Sequence, residues 1–219
     1  MRKIQFVNGG YYHIYNRTIE EVPLFKTEED YLKFLKNLKE FNNKSFYEER
    51  KNIIAAKGFK ELSSFLGKSE KVVGILSYSL ISNHFHFILK QLTDNGISKF
   101  MHKLGVSYTN YSNKIHKRRG PLFQGTFKAI HIDNNNYLLW LCGYINGNVE
   151  IHKTGEAKNY KWSSFKHLLG FEESEILDDT NIILSQFGNQ EKFENFVKTV
   201  INESRKRKDL EKYLLESLD

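Results

Sequence analysis

The run Val72-Val-Gly-Ile-Leu-Ser-Tyr-Ser-Leu-Ile81, the pair Ser82-Asn83 and the run His84-Phe-His-Phe-Ile-Leu-Lys90 decide the fold. The first run is apolar and rich in β-branched residues, Ser-Asn is turn chemistry, and the second run alternates. Together they read as a β-hairpin at the centre of a sheet. Period-2 geometry then puts His84 and His86 on one face and Phe85 and Phe87 on the other. Two imidazoles on one face can hold a divalent metal if a third ligand arrives from elsewhere. A bare His-x-His, taken alone, is more often two unrelated histidines on a half-buried strand.

Upstream, Gly10 to Arg17 has the aromatic and β-branched alternation of another strand. Thr27 is placed to cap a helix with Asp30 three residues on, and Tyr31, Phe34, Leu35 and Leu38 give that helix its apolar stripe. Lys44–Lys71 is polar and mixed, with short helices expected around Ile53–Ala56 and Phe59–Leu66. Downstream, Asp94 or Ser98 opens a helix to about Ile115, with Ile97, Met101, Leu104 and Tyr108 on one face. A loop at Lys117–Pro121 precedes a strand over Phe127–Ile132. Asp133 then caps a helix from Asn134 to about Asn148 that carries Leu138, Leu141 and Ile145. From Glu172 the tail reads as helical, with Phe193, Phe196, Val197, Val200 and Ile201 as its stripe and a mixed-charge Glu203–Lys212 after it. The order βα, hairpin, α, β, α predicts an α+β domain over residues 1–170, with helices packed on a central antiparallel sheet. A helical C-terminal extension follows over 171–219.

Composition narrows the class. The chain has 219 residues, 40% hydrophobic and 27% charged, as in a folded globular protein. No apolar run approaches the roughly 18–20 residues that a membrane span needs, so no membrane association is expected. Met1-Arg-Lys-Ile-Gln-Phe lacks the apolar core of a secretory signal. The single cysteine, Cys142, rules out an internal disulfide and fits a cytoplasmic location. The formal net charge is +7, and Asn95–Ile132 accounts for all of it with seven basic residues and no acid. Those residues are Lys99, Lys103, Lys114, Lys117, Arg118, Arg119 and Lys128, interleaved with Phe100, Tyr108, Tyr111, Phe123 and Phe127. Cations beside rings are the footprint of a nucleic-acid groove; a solvated basic surface is the plainer alternative.

Tyr144-Ile-Asn-Gly-Asn148 adds a third element. On a helix Tyr144 and Asn148 are four apart and share a face. An amide oxygen is a hard ligand suited to a magnesium-type ion. The same five residues also suit a tyrosine at the core's edge followed by a Gly-Asn helix stop.

Taken in order, these fragments resemble the single-tyrosine transposases of the HUH nuclease superfamily, and most of all the REP-associated tyrosine transposases. The resemblance begins at Gly10-Tyr-Tyr-His-Ile-Tyr-Asn-Arg17 and Leu24-Phe-Lys26, and passes through Asn83-His-Phe-His86. It continues with Ile97–Tyr111 and Gly120-Pro-Leu-Phe-Gln-Gly-Thr-Phe-Lys-Ala-Ile130, and ends with Tyr144–Asn148 and Trp162-Ser-Ser-Phe165. It departs from the family pattern at Ser82, where proline is usual, at Val149-Glu150 after Asn148, and in a longer Lys44–Lys71 stretch.

The resemblance implies a ferredoxin-like HUH fold and metal-dependent cleavage and strand transfer of single-stranded DNA. His84, His86 and Asn148 would hold Mg2+ or Mn2+, and Tyr144 would be the nucleophile that becomes linked to a 5′ phosphate. Lys99, Lys103, Tyr108, Tyr111, Lys114, Lys117, Arg118, Arg119 and Lys128 would contact the DNA. Hairpin-bearing single strands are the expected partner. Monomer and homodimer both remain open, with the tyrosine acting in its own subunit or a partner's. Two alternatives stand beside this reading: an HUH nickase of relaxase or replication-initiator type, and a nucleic-acid-binding regulator without cleavage.

Overall fold

The computed structural model describes residues 4–44 and 70–216, with 209–216 described by backbone alone. The short helices expected around Ile53–Ala56 and Phe59–Leu66 fall outside the described residues. Four strands, β1 (Tyr11–Arg17), β2 (Val73–Ile81), β3 (His84–Gln91) and β4 (Lys128–Ile132), form one sheet in the order β2-β3-β1-β4. Every neighbouring pair is antiparallel. Helices α1 (Glu28–Phe41) and α2 (Gly96–Ile115) complete a βαββαβ order among the described residues, the ferredoxin-like arrangement. After β4 come α3 (Asn135–Ile151), the one-turn α4 (Phe165–Leu168) and α5 (Asn181–Leu184), and the long α6 (Gln190–Glu216).

Alternation along the strands builds two cores. Tyr12, Ile14, Phe85, Phe87 and Leu89 face α1 and α2 and pack with Phe34, Leu38, Phe100 and Leu104. Ile88 and Leu76 face the other way, onto Leu138, Leu141 and Ile145 of α3, with Phe193, Val197 and Ile201 of α6 in the same cluster. At the mouth of α1, the Asp30 carboxylate accepts from the Thr27 amide at 3.1 Å, and His116 Nε2 stands 3.0 Å away at the end of α2.

Three local expectations change. The hairpin is not central, because β2 is an edge strand. All nine of its residues are buried. Its outer edge is covered by a distant segment: Leu80 N donates to Trp162 O and Ser164 N donates to Tyr78 O, both at 2.9 Å. An edge sealed in this way reads as a central strand in sequence. The cap of α3 is Asn134, whose side chain accepts from Tyr137 N, rather than Asp133. The tail is not helical from Glu172: only the one-turn α5 precedes α6, which begins at Gln190. The intervening chain is held by other means, with Asp178 Oδ2 accepting from Ile75 N at 3.1 Å.

The seam between α3 and α6 depends on small residues. A Cβ at Gly143 would lie 2.9 Å from Val200 Cγ2, and one at Gly147 would overlap Ile201 Cγ1. Gly147→Ala should therefore destabilise the protein by about 1–3 kcal/mol through overpacking. That outweighs the roughly 1 kcal/mol alanine gains in helix propensity. Urea denaturation measures it, and an unchanged or raised midpoint would show that α6 yields freely.

Candidate functional site

Strand register gathers the polar face. His86 pairs with Tyr15 and His84 with Arg17 across β1, while His13 pairs with Ile88. Paired residues point to the same side, so His13, Tyr15 and Arg17 join His84 and His86 on the face that α3 crosses. The His84 and His86 rings lie 5.2 Å apart, edge to face.

Hydrogen bonding fixes how these rings are presented. His84 Nδ1 is 2.6 Å from Asn83 Oδ1, an acceptor, which places the ring proton on Nδ1. His84 Nε2 then turns its lone pair toward Asn148 Oδ1, 3.3 Å away. In that tautomer two acceptors oppose one another with no proton between them. Asn148 is fully buried, and its Nδ2 finds no hydrogen-bond partner among the described residues. Such a pair is suited to a cation. His86 Nδ1 lies 2.9 Å from His13 Nε2, leaving the other His86 nitrogen free to ligate. Burial holds His13 and His84 down to about 4, and His86 well below its ordinary value, so all three are neutral near pH 7. Neutral imidazole is the ligating form. Among the described residues no three His, Cys, Asp or Glu side chains converge on a metal position, so a three-donor site here would need the Asn148 amide.

Tyr144 stands one turn before Asn148 on α3. Its ring meets His86 edge-on at 6.0 Å and stacks on Trp140 at 5.3 Å. Burial raises its hydroxyl above the ordinary phenol range, and the Asn148 amide offsets part of that rise. The rotation of α3 is set by Asn146, which donates to Ser77 Oγ at 3.0 Å and accepts from Ser164 Oγ at 2.8 Å. The Trp162-Ser-Ser motif thus locks the tyrosine helix to β2.

A cavity of about 260 Å³ opens beside these groups, with Arg17, Gln124, Lys128 and His152 among its walls and no carboxylate. Of the basic segment, only Lys128 lines it; its ammonium sits 5.9 Å from the Tyr15 ring. Lys99 and Lys103 belong to α2, on the opposite layer of the sheet, where Lys103 lies over Phe41. Lys114, Lys117 and Arg119 are exposed, while Arg118 braces its loop by donating to Asn113 Oδ1. Tyr108 is a correction. It is fully buried and donates to Leu24 O at 2.9 Å, so it packs the core and offers no surface to DNA. Tyr111 is half-buried against the same core, its ring 5.7 Å from that of Tyr108.

Sequence reasoning missed His13, Arg17, His152 and Asn146. For the first two the only signal was their period-2 spacing with Tyr15 on β1, which means nothing until the register with β3 is known.

Residues 45–148, a little under half of the chain, match the family model described as "Transposase IS200 like". That span contains both histidines of β3, Tyr144 and Asn148. Among solved structures, the fold resembles a REP-associated tyrosine transposase bound to a REP hairpin, with a TM-score of 0.55 and 12% identity over 82% of this chain and 94% of that one. A tRNA(His) guanylyltransferase from Saccharomyces cerevisiae aligns with a TM-score of 0.36 and 14% identity over 91% and 76% of the two chains. No curated protein matches the sequence. Among the described residues, no helix is long and apolar enough to cross a membrane.

Proposed function

We propose that the chain acts as a single-tyrosine transposase, cutting single-stranded DNA and rejoining it through a 5′-phosphotyrosine at Tyr144. The observation that carries this reading is the opposition of His84 Nε2 and Asn148 Oδ1 beside Tyr144, inside the segment that matches the IS200-like transposase model. The neighbour's REP hairpin suggests a hairpin-bearing single strand as the substrate here.

His84, His86 and Asn148 would hold a divalent ion, and two imidazole donors suit Mn2+ at least as well as Mg2+. When bound, that ion supplies charge neutralisation at a non-bridging phosphate oxygen. The protein's own residues do the rest. Arg17 and Lys128 line the cavity and orient the phosphate. Trp140 and His86 hold the Tyr144 ring so that its oxygen attacks in line. The Oη–P bond forms as the P–O3′ bond breaks. The phenolic proton passes to solvent, and the departing 3′ oxygen takes one up. The phosphodiester energy stays in the tyrosine link, so another 3′-hydroxyl can reverse the step.

Incubation of the protein and Mn2+ with a labelled hairpin-bearing strand tests this. A 3′-labelled strand should migrate with the protein on a denaturing gel, and a 5′-labelled strand should release a shorter fragment ending in a 3′-hydroxyl. Cleavage without an adduct would indicate a water nucleophile. Binding without cleavage would favour a regulator.

A further inference from the structure

Of the basic segment Asn95–Ile132 only Gln124 and Lys128 line the Tyr144 cavity, because α2 backs the other layer of the sheet. Further cations stand just behind its lining residues Tyr144 and His152, on a part of the chain with no net excess of charge. The residues Arg205-Lys-Arg-Lys208 lie on α6 where it crosses the last turn of α3.

Arg205 fastens that crossing. Its Nη2 and Nε donate to Glu150 O at 2.6 and 3.0 Å, adding to the bond that this carbonyl accepts from Lys153 N at the end of α3. Two residues on, the Arg207 guanidinium stands 5.9 Å from the Trp140 ring, the ring that stacks on Tyr144. Lys208 Nζ lies 3.2 Å from His152 Nε2, and the His152 ring lies 5.4 Å from that of His84. One cation therefore sits behind the tyrosine and the other beside the histidine pair. Lys208 and Arg17 both add positive potential at His84 and His152. With no carboxylate in the cavity wall, a polyanion is the complementary occupant.

We propose that Arg207 and Lys208 form a phosphate-backbone contact for the single strand held at Tyr144, which then lies between a wall from β1 and β4 and a wall from the C-terminal helix. A guanidinium beside stacked rings also suits the mixed phosphate and base surface of a single strand. The inference rests on the reading of this cavity as the DNA-cleavage site and names a second wall for it.

Salt titration of hairpin-strand binding tests it, with EDTA present so that neither metal nor cleavage contributes. The double variant Arg207→Gln/Lys208→Gln should lower the slope of log K against log salt by about 1.4, at roughly 0.7 for each lost phosphate contact on a single strand. Lys192→Gln, about 24 Å away along the same helix, should leave the slope unchanged. Arg207→Lys keeps the charge and should keep the slope. If it loses as much affinity as Arg207→Gln, Arg207 only packs on Trp140 and the inference fails. A double variant with wild-type affinity and slope also overturns it, while leaving the cleavage reading intact. A wild-type protein that binds no single strand at low salt overturns both.

Discussion

Tyr144→Phe should abolish the covalent protein–DNA adduct, with strand cleavage reduced at least about 10³-fold, as expected when a positioned nucleophile is removed. The substitution deletes one oxygen and keeps the ring, so the stack on Trp140 and the edge contact with His86 survive. Strand binding and the unfolding midpoint should match wild type. The other two candidate tyrosines are poor rivals. Tyr108 is sealed in the core, where burial drives its hydroxyl far up, and Tyr111 is also raised by burial and by Asp30. The same physics gives a pH dependence. Burial raises the Tyr144 hydroxyl, so at neutral pH it is protonated, and the reactive phenolate fraction grows as pH rises toward that raised value. Adduct formation measured in single turnover should therefore accelerate from pH 6 to pH 9. An adduct retained by Tyr144→Phe, or a rate that falls over that range, would remove Tyr144 from its role.

His84→Ala and His86→Ala should each eliminate Mn2+-dependent cleavage. Loss of Mn2+ affinity in titration calorimetry should exceed the roughly 10–100-fold typical when a residue supporting a ligand is lost. His13→Ala belongs to that smaller range, since it reaches the site only through His86 Nδ1. A graded series of this kind separates a ligand from its support. If His13→Ala costs more Mn2+ affinity than His86→Ala, the donor set has been misassigned. Far-UV circular dichroism should show all three variants folded, because the sheet is held from its other face by Phe85 and Phe87.

The parts of this site that were legible in sequence are those set by short periods. Alternation along β3 placed both imidazoles together, and the four-residue spacing on α3 placed Tyr144 above Asn148. What was illegible depends on distant chain. The edge position of β2 is hidden because residues 160–164 seal it, and a strand buried along its whole length looks the same whether a strand or a loop covers it. His13 and Arg17 needed the register of β1 against β3. Tyr108 shows two signals in conflict. It sits on the apolar stripe with Ile97, Met101 and Leu104, yet its segment is basic and aromatic, and the stripe decides its environment. The Arg205–Lys208 run reads as solvated mixed charge until α6 is laid across α3.

One feature of α3 bears on how many copies a rearrangement uses. The helix is pressed between the sheet and α6, with Asn146 pinned to Ser77 and Ser164 of the same chain. In this arrangement Tyr144 meets the histidines of its own polypeptide. On the proposed function a single copy would hold one complete cutting centre with one nucleophile, and it would carry one severed end at a time. On that reading, exchanging two ends would take two copies, which the protein itself would not have to bring together beforehand. The substrate can do so, by presenting two sites on one strand. Pairing of the enzyme would then be a property of the DNA's layout, with the frequency of exchange set by the spacing of its sites.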